Sequence, residues 1–154
     1  MVTPESDNSK LQAWPSIPYP DWEDTCATLH LWTQIVGKIR LSLTPWINHS
    51  WHVTPYPTAR GLTTSPIPYQ DDDFQIDFDF LGHELLVTRS DGSRRRVALR
   101  PVAVADFYAE VMAALGELGI EVRIHRRPNE IADPILFHED RTHRSYDADA
   151  AQRF

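Results

Sequence analysis

Between Asp21 and Leu43 the chain carries too much apolar surface to lie anywhere but in a core. At about 100° per residue, Trp22, Cys26, Leu29, Leu31, Trp32, Ile35, Val36 and Ile39 cover well over half of a helix circumference, wider than the stripe of a surface helix. The stretch therefore predicts a long, mostly buried helix. Asp21 follows Pro20 and is the expected N-cap, with Glu23 and Asp24 placing negative charge where the helix dipole favours it. Pro45 cannot continue the ladder and restricts Thr44, so the helix should end there. Gly37 should weaken it by about 1 kcal/mol relative to alanine. The edge opposite the apolar face keeps Glu23, His30, Gln34 and Lys38 nearly in line, the last three four residues apart. That strip is a first candidate site. Its plainer reading is the solvated edge of a buried helix, with His30 and Gln34 bonded to nearby backbone.

The clearest strand is Phe74 to Phe80, where Phe74, Ile76, Phe78 and Phe80 alternate with Gln75, Asp77 and Asp79. Gly82-His83 predicts a two-residue turn into a return strand, Glu84 to Arg89. Ser90-Asp91-Gly92 then predicts a three-residue turn with Gly92 in a left-handed bulge, which pairs Leu85 with Val97 and Val87 with Arg95. In this register Asp77 and Asp79 share an outer face with Arg94 and Arg96, so cross-strand charge pairing is expected there rather than acid–base work. Trp51, Val53 and Pro55 alternate as in an edge strand, Leu62 to Ser65 forms a short extended piece, and Ile120, Val122 and Ile124 predict a further half-buried strand. A second helix is expected over Val102 to Leu118, stopped by Gly119, and Asp147 can cap a final one.

Size and charge bound the rest. With 154 residues, 42% of them hydrophobic, the chain can fill one core. We expect a disordered tail over residues 1–13 and a single domain over 14–154. A formal charge of −7 opposes a nucleic-acid surface. There is no leader and no apolar run long enough for a membrane span, so a soluble, cytoplasmic protein without membrane attachment is expected. Cys26 alone cannot make an intrachain disulfide, fits a reducing compartment, and on an apolar face is a poor nucleophile.

Two groupings could carry chemistry, and a third only looks as if it could. His138 and His143 are five residues apart, so they cannot copy the zinc-protease pair, which must share a helix face. Asp140 and His143 are three apart and could act as an oriented base, or share a metal completed by His49 or His52, although no spacing demands a metal. Arg60-Gly61 with Thr63, Thr64 and Ser65 could form an anion cup, or could simply satisfy turns. No Walker loop, nucleophile elbow or dinucleotide fingerprint is present, and no cofactor is implied.

The segments TLHLWTQIVGKIRL, NHSWHV, ARGLTTSPIPY, FDF, ADFYAEVM, PNE and SYD closely resemble a widespread bacterial family of unknown function, over nearly the whole chain from Trp14 to Phe154. Because the family has no established activity, the resemblance implies boundaries and no mechanism. Within its characteristic segments lie His30, Gln34, Lys38, Asn48, His49, His52, Arg60, Thr63, Thr64, Asp140, His143, Tyr146 and Asp147. It also implies a longer protein, in keeping with a final helical pattern that stops after about two turns, so we expect this chain to be the N-terminal part of one. Ala103 replaces a serine expected before the second helix, removing a cap worth about 1 kcal/mol.

The expected architecture is α+β: an antiparallel sheet of five or six strands, with the long helix and the second helix packed on one face. Three functions are compatible with it. A small-molecule domain would bind, with Asn48, His49, Arg60, Thr63 and Thr64 facing His30, Gln34 and Lys38, tryptophans supplying apolar walls and Arg60 gripping an anion. A hydrolase would use His52 or His143 as base, with Asp140 orienting it or binding metal. A fragment would present an apolar interface to a missing C-terminal part or to a second copy.

Overall fold

The computed structural model describes residues 15–154. The expected tail, residues 1–13, lies outside the described residues, as does Trp14. The long helix, α1, runs Glu23–Leu43 and buries Leu29, Leu31, Trp32, Ile35, Val36 and Ile39. Its start differs from expectation. Asp21 sits in a single 3-10 turn, Tyr19–Asp21, and Trp22 occupies the N-cap position without a side-chain hydrogen bond. Proline at the middle of that turn brings in the chain one residue later than a capping Asp21 would require.

The sheet has six antiparallel strands: β1 (Tyr56–Pro57), β2 (Gly61–Thr63), β3 (Ile67–Tyr69), β4 (Asp72–Asp79), β5 (Glu84–Arg89) and β6 (Arg94–Ala98). Their order is β1-β2-β4-β5-β6, with β3 sharing the β2 edge of β4. Leu85 faces Val97 and Val87 faces Arg95, the register that the bulged turn predicts, and Gly92 has φ +85°. The first hairpin is looser than expected. Asp79 pairs with Glu84, so Phe80 to His83 form a four-residue loop. Its tightness comes from Asp79, whose carboxylate accepts from the N–H groups of Leu81 (3.0 Å) and Gly82 (2.9 Å). The expected pairing of Asp77 and Asp79 with Arg94 and Arg96 does not occur. Asp79 binds Arg60, Asp77 accepts from Gln75, and Arg96 reaches Glu84.

Helix α2 (Val104–Glu117) stacks Phe107 on Trp32 of α1, ring centroids 4.3 Å apart, within the core that also holds Phe74, Ile76, Phe78 and Phe80. A short α3 (Ala148–Arg153) follows, capped by Asp147, which accepts from the N–H of Ala150. Two expected strands are absent. Residues 120–125 alternate in burial but pair with no strand; Ile120 N–H donates to the Leu115 carbonyl, Glu121 N–H to Tyr69 Oη, and Ser42 Oγ to the Arg123 carbonyl. Asn48–Val53 forms 3-10 turns, broken by His49 (φ 55°) and Ser50 (φ 57°) in left-handed geometry. These turns lie close on α1 because Gly37 has no side chain; a Cβ there would stand 3.0 Å from Val53 Cγ1. At Gly61, where φ is +152°, a Cβ would overlap the Phe78 carbonyl.

Candidate functional site

The polar strip of α1 faces the loop after Pro128. Gln34 and Asn129 exchange two hydrogen bonds, Asn129 N–H to Gln34 Oε1 (2.8 Å) and Gln34 Nε2 to the Asn129 carbonyl (3.0 Å), so the side-chain amide imitates a strand neighbour. Gln34 Nε2 also lies 3.0 Å from His30 Nε2, a contact that makes His30 the acceptor. Lys38 donates to Asn129 Oδ1 at 2.8 Å. Gln34 thus bonds to nearby backbone, as the plainer reading of the strip has it, whereas the His30 ring bonds, among the described residues, only to the Gln34 side chain, and both line a groove as well. About 410 Å³ of space opens between α1 and the turns after it, bounded by His30, Gln34, Lys38, Ser50, Thr54 and Glu130 among others.

Lys38 is the unusual member of this groove. It is only 9% exposed, and no carboxylate stands within ion-pair distance of it among the described residues. Burial pushes the ammonium pKa below its ordinary value. Next to the groove, and sharing His30, Thr33 and Pro55 with it, lies a second hollow of about 310 Å³, otherwise lined by Trp22, Cys26, Leu29, Leu62 and Phe154. Burial pushes the Cys26 thiol pKa up, in keeping with an apolar wall.

The other expected contributors lie elsewhere. Asn48 and His49 are exposed on the turns, and Trp46 and Trp51, expected as pocket walls, are 68% and 67% exposed. Arg60 does not join Lys38; its Nε and Nη2 both bind Asp79 Oδ2, at 2.9 and 2.6 Å. Thr63 and Thr64 form no anion cup. Thr63 Oγ1 accepts from Ser65 N–H, and the buried Thr64 hydroxyl accepts from Ile76 N–H, standing in for a carbonyl where the β2 and β3 pairings are interrupted. The hydroxyls are used by the local backbone.

Asp140 and His143 do come together, Oδ2 to Nδ1 at 2.7 Å, with the Asp140 side chain 1% and the His143 side chain 35% exposed. Asp140 Oδ1 also accepts from the N–H groups of Thr142 and His143. The same loop completes α2: the Asp140 carbonyl accepts from Ala105 N–H and the His143 carbonyl from Val104 N–H, replacing the cap that Ala103 cannot provide. His143 borders a hollow of about 550 Å³ with Asp24, Thr28, Arg144 and Ser145. His52 is remote in role: its ring is buried, Nδ1 accepts from Ile47 N–H, and Nε2 has no partner among the described residues. Among the described residues, no three His, Cys, Asp or Glu side chains are grouped so as to hold a metal ion.

Sequence reasoning missed Asn129, whose side chain and backbone anchor the strip, and Thr25 and Thr28, which accept from Asp147 N–H and Ser145 N–H. A threonine pair three residues apart on an otherwise apolar helix was the available signal. No described helix is long and apolar enough to cross a membrane. No curated protein and no solved structure matches the chain. A family model does match, over residues 14–154, and the chain belongs to that family, a family of unknown function (DUF5996).

Proposed function

We propose that the protein binds a small monoanionic molecule in the groove beside α1, with the anion at Lys38. The observation that carries this reading is the ammonium itself. A lysine side chain only 9% exposed overall, whose ammonium has one neutral amide as its partner among the described residues, is costly to hold, and an anion in the adjoining space would relieve it. Gln34, His30 and Asn129 supply fixed polar edges, and Thr54 and Ser50 line the opposite wall. Exposed Glu130 in the same wall disfavours multiply charged anions such as nucleotide phosphates and leaves a carboxylate as the best match. The lone cysteine supports a cytoplasmic setting. The test is an NMR titration with butyrate that follows the Asn129 amide and the Gln34 side-chain amide. Saturable shifts in the wild type that vanish in Lys38→Gln support the reading; identical shifts in both proteins, or none, overturn it.

A second reading rests on the 2.7 Å contact of His143 with Asp140. A carboxylate on Nδ1 fixes the tautomer and leaves Nε2 as the base, and His143 lines a hollow together with Ser145. Its test is hydrolysis of a nitrophenyl ester by wild type and His143→Ala. Equal rates would remove it, leaving the pair as the lock on the α2 N-terminus.

A further inference from the structure

The polar groove and the apolar hollow share a wall, and each supplies what the other lacks. His30 and Thr33 lie one turn apart on α1 and border both, as does Pro55 across from them. The groove holds the Lys38 ammonium, with no carboxylate within ion-pair distance among the described residues, whereas the hollow presents almost only carbon and sulfur: the Trp22 ring, Leu29, Leu62, Phe154 and the Cys26 side chain. Side chains on a helix lean toward its N-terminus, so Lys38 delivers its charge near the level of Gln34, and both bind Asn129. From Gln34 back to Cys26 is eight residues, roughly 12 Å along the axis. That distance matches an extended hydrocarbon tail of medium length better than a compact metabolite.

Building on the Lys38 reading above, we infer that the natural ligand is an amphipathic monocarboxylate, such as a medium-chain or aryl-substituted acid. Its carboxylate sits at Lys38 and its apolar body runs along α1 into the hollow against Cys26, Leu29 and Trp22. Apolar contact supplies most of the binding free energy, at about 25 cal/mol per Å² removed from water, and the charge fixes orientation.

Cys26 is the chain's single cysteine and reports directly on the hollow. The experiment measures the rate of Cys26 alkylation by N-ethylmaleimide in the full chain, with decanoate below its micelle concentration, decanol, or butyrate present. The expected result is saturable protection of at least fivefold by decanoate, weak protection by decanol, and none by butyrate. In Lys38→Gln, decanoate protection should shift to at least tenfold higher concentration, with the unliganded rate and circular dichroism unchanged. If butyrate still shifts Asn129 in a Lys38-dependent way but decanoate neither protects Cys26 nor binds more tightly, the tail placement is wrong and the anion site stands. If decanoate protects wild type and Lys38→Gln alike, the hollow takes hydrocarbon without the charge and the inference is overturned, while the butyrate titration alone decides the Lys38 reading. If Cys26 is protected without ligand and dilution exposes it, a second copy fills the hollow and the inference is overturned.

Discussion

Removing the Asp79 carboxylate tests what holds the first hairpin. Its side chain is 8% exposed and has three sources of donors: Gly82 N–H, Leu81 N–H, and Arg60 through two nitrogens. Burial alone would raise its pKa, but the Gly82, Arg60 and Leu81 donors outweigh that and hold it below the ordinary carboxylate value of 3.8. The sign follows. A folded pKa below the unfolded one stabilises the fold above about pH 4, and that stability is lost as the pH falls through the folded value. Bonds to a charged acceptor contribute about 1.5–3 kcal/mol each when buried. Here the Arg60 side chain is 59% exposed, so its guanidinium can turn to water and the sum must be discounted. We expect Asp79→Ala to lose about 2–4 kcal/mol, and Arg60→Ala about 1 kcal/mol because the backbone donors remain. The assay is urea unfolding followed by tryptophan fluorescence at neutral pH, repeated in acid, where the difference between wild type and Asp79→Ala should shrink. A loss below about 0.5 kcal/mol for Asp79→Ala, or an equal loss for Arg60→Ala, refutes the backbone-anchored turn.

Three further outcomes are expected. Gly37→Ala ordinarily stabilises a helix by about 1 kcal/mol, but with Val53 Cγ1 3.0 Å from the new Cβ it should instead lower stability, and Val53→Ala should restore it in the double variant; thermal melts decide this. Gln34→Ala removes both bonds to the Asn129 backbone and should raise hydrogen exchange at that amide about tenfold while changing global stability by only about 1 kcal/mol. Tyr146, its pKa pushed up to about 12 by burial and then by the Asp79 charge, should give a late component in the ultraviolet titration that Tyr146→Phe abolishes. Its neutral form is favoured in the fold, so that stabilisation is complete below pH 10 and disappears as the pH rises through about 12.

Much of the scaffold was legible because period and turn chemistry act locally. Alternation over Phe74 to Phe80 and the Asp91-Gly92 turn set the β5–β6 register to the residue. Where the reading missed, a distant partner decided the structure. Ile120, Val122 and Ile124 alternate because one side of the segment is covered, but no strand edge is paired with it, so periodicity reported burial and not pairing. The turns at Asn48–Val53 need His49 and Ser50 in left-handed conformations, which neither residue announces. The strip on α1 was found from its spacing, whereas its combination with Arg60 failed because Asp79 takes that guanidinium, a contact set by the β2–β4 pairing.

The carbonyl cap on α2 and the two threonines of α1 have a consequence for how the molecule is made. Thr25 and Thr28 wait 122 and 117 residues for the amides they accept from, and the α2 N-terminus waits for residues 140–143. On a ribosome both helices emerge well before the segment that joins them. At 5–20 residues per second, the growing protein would spend several seconds with its most apolar helix made and not yet tied down. Contacts between such distant parts of a chain slow the final closure. Association with a chaperone would therefore concentrate on nascent chains in which Leu29 to Ile39 have emerged and the loop at Asp140 has not.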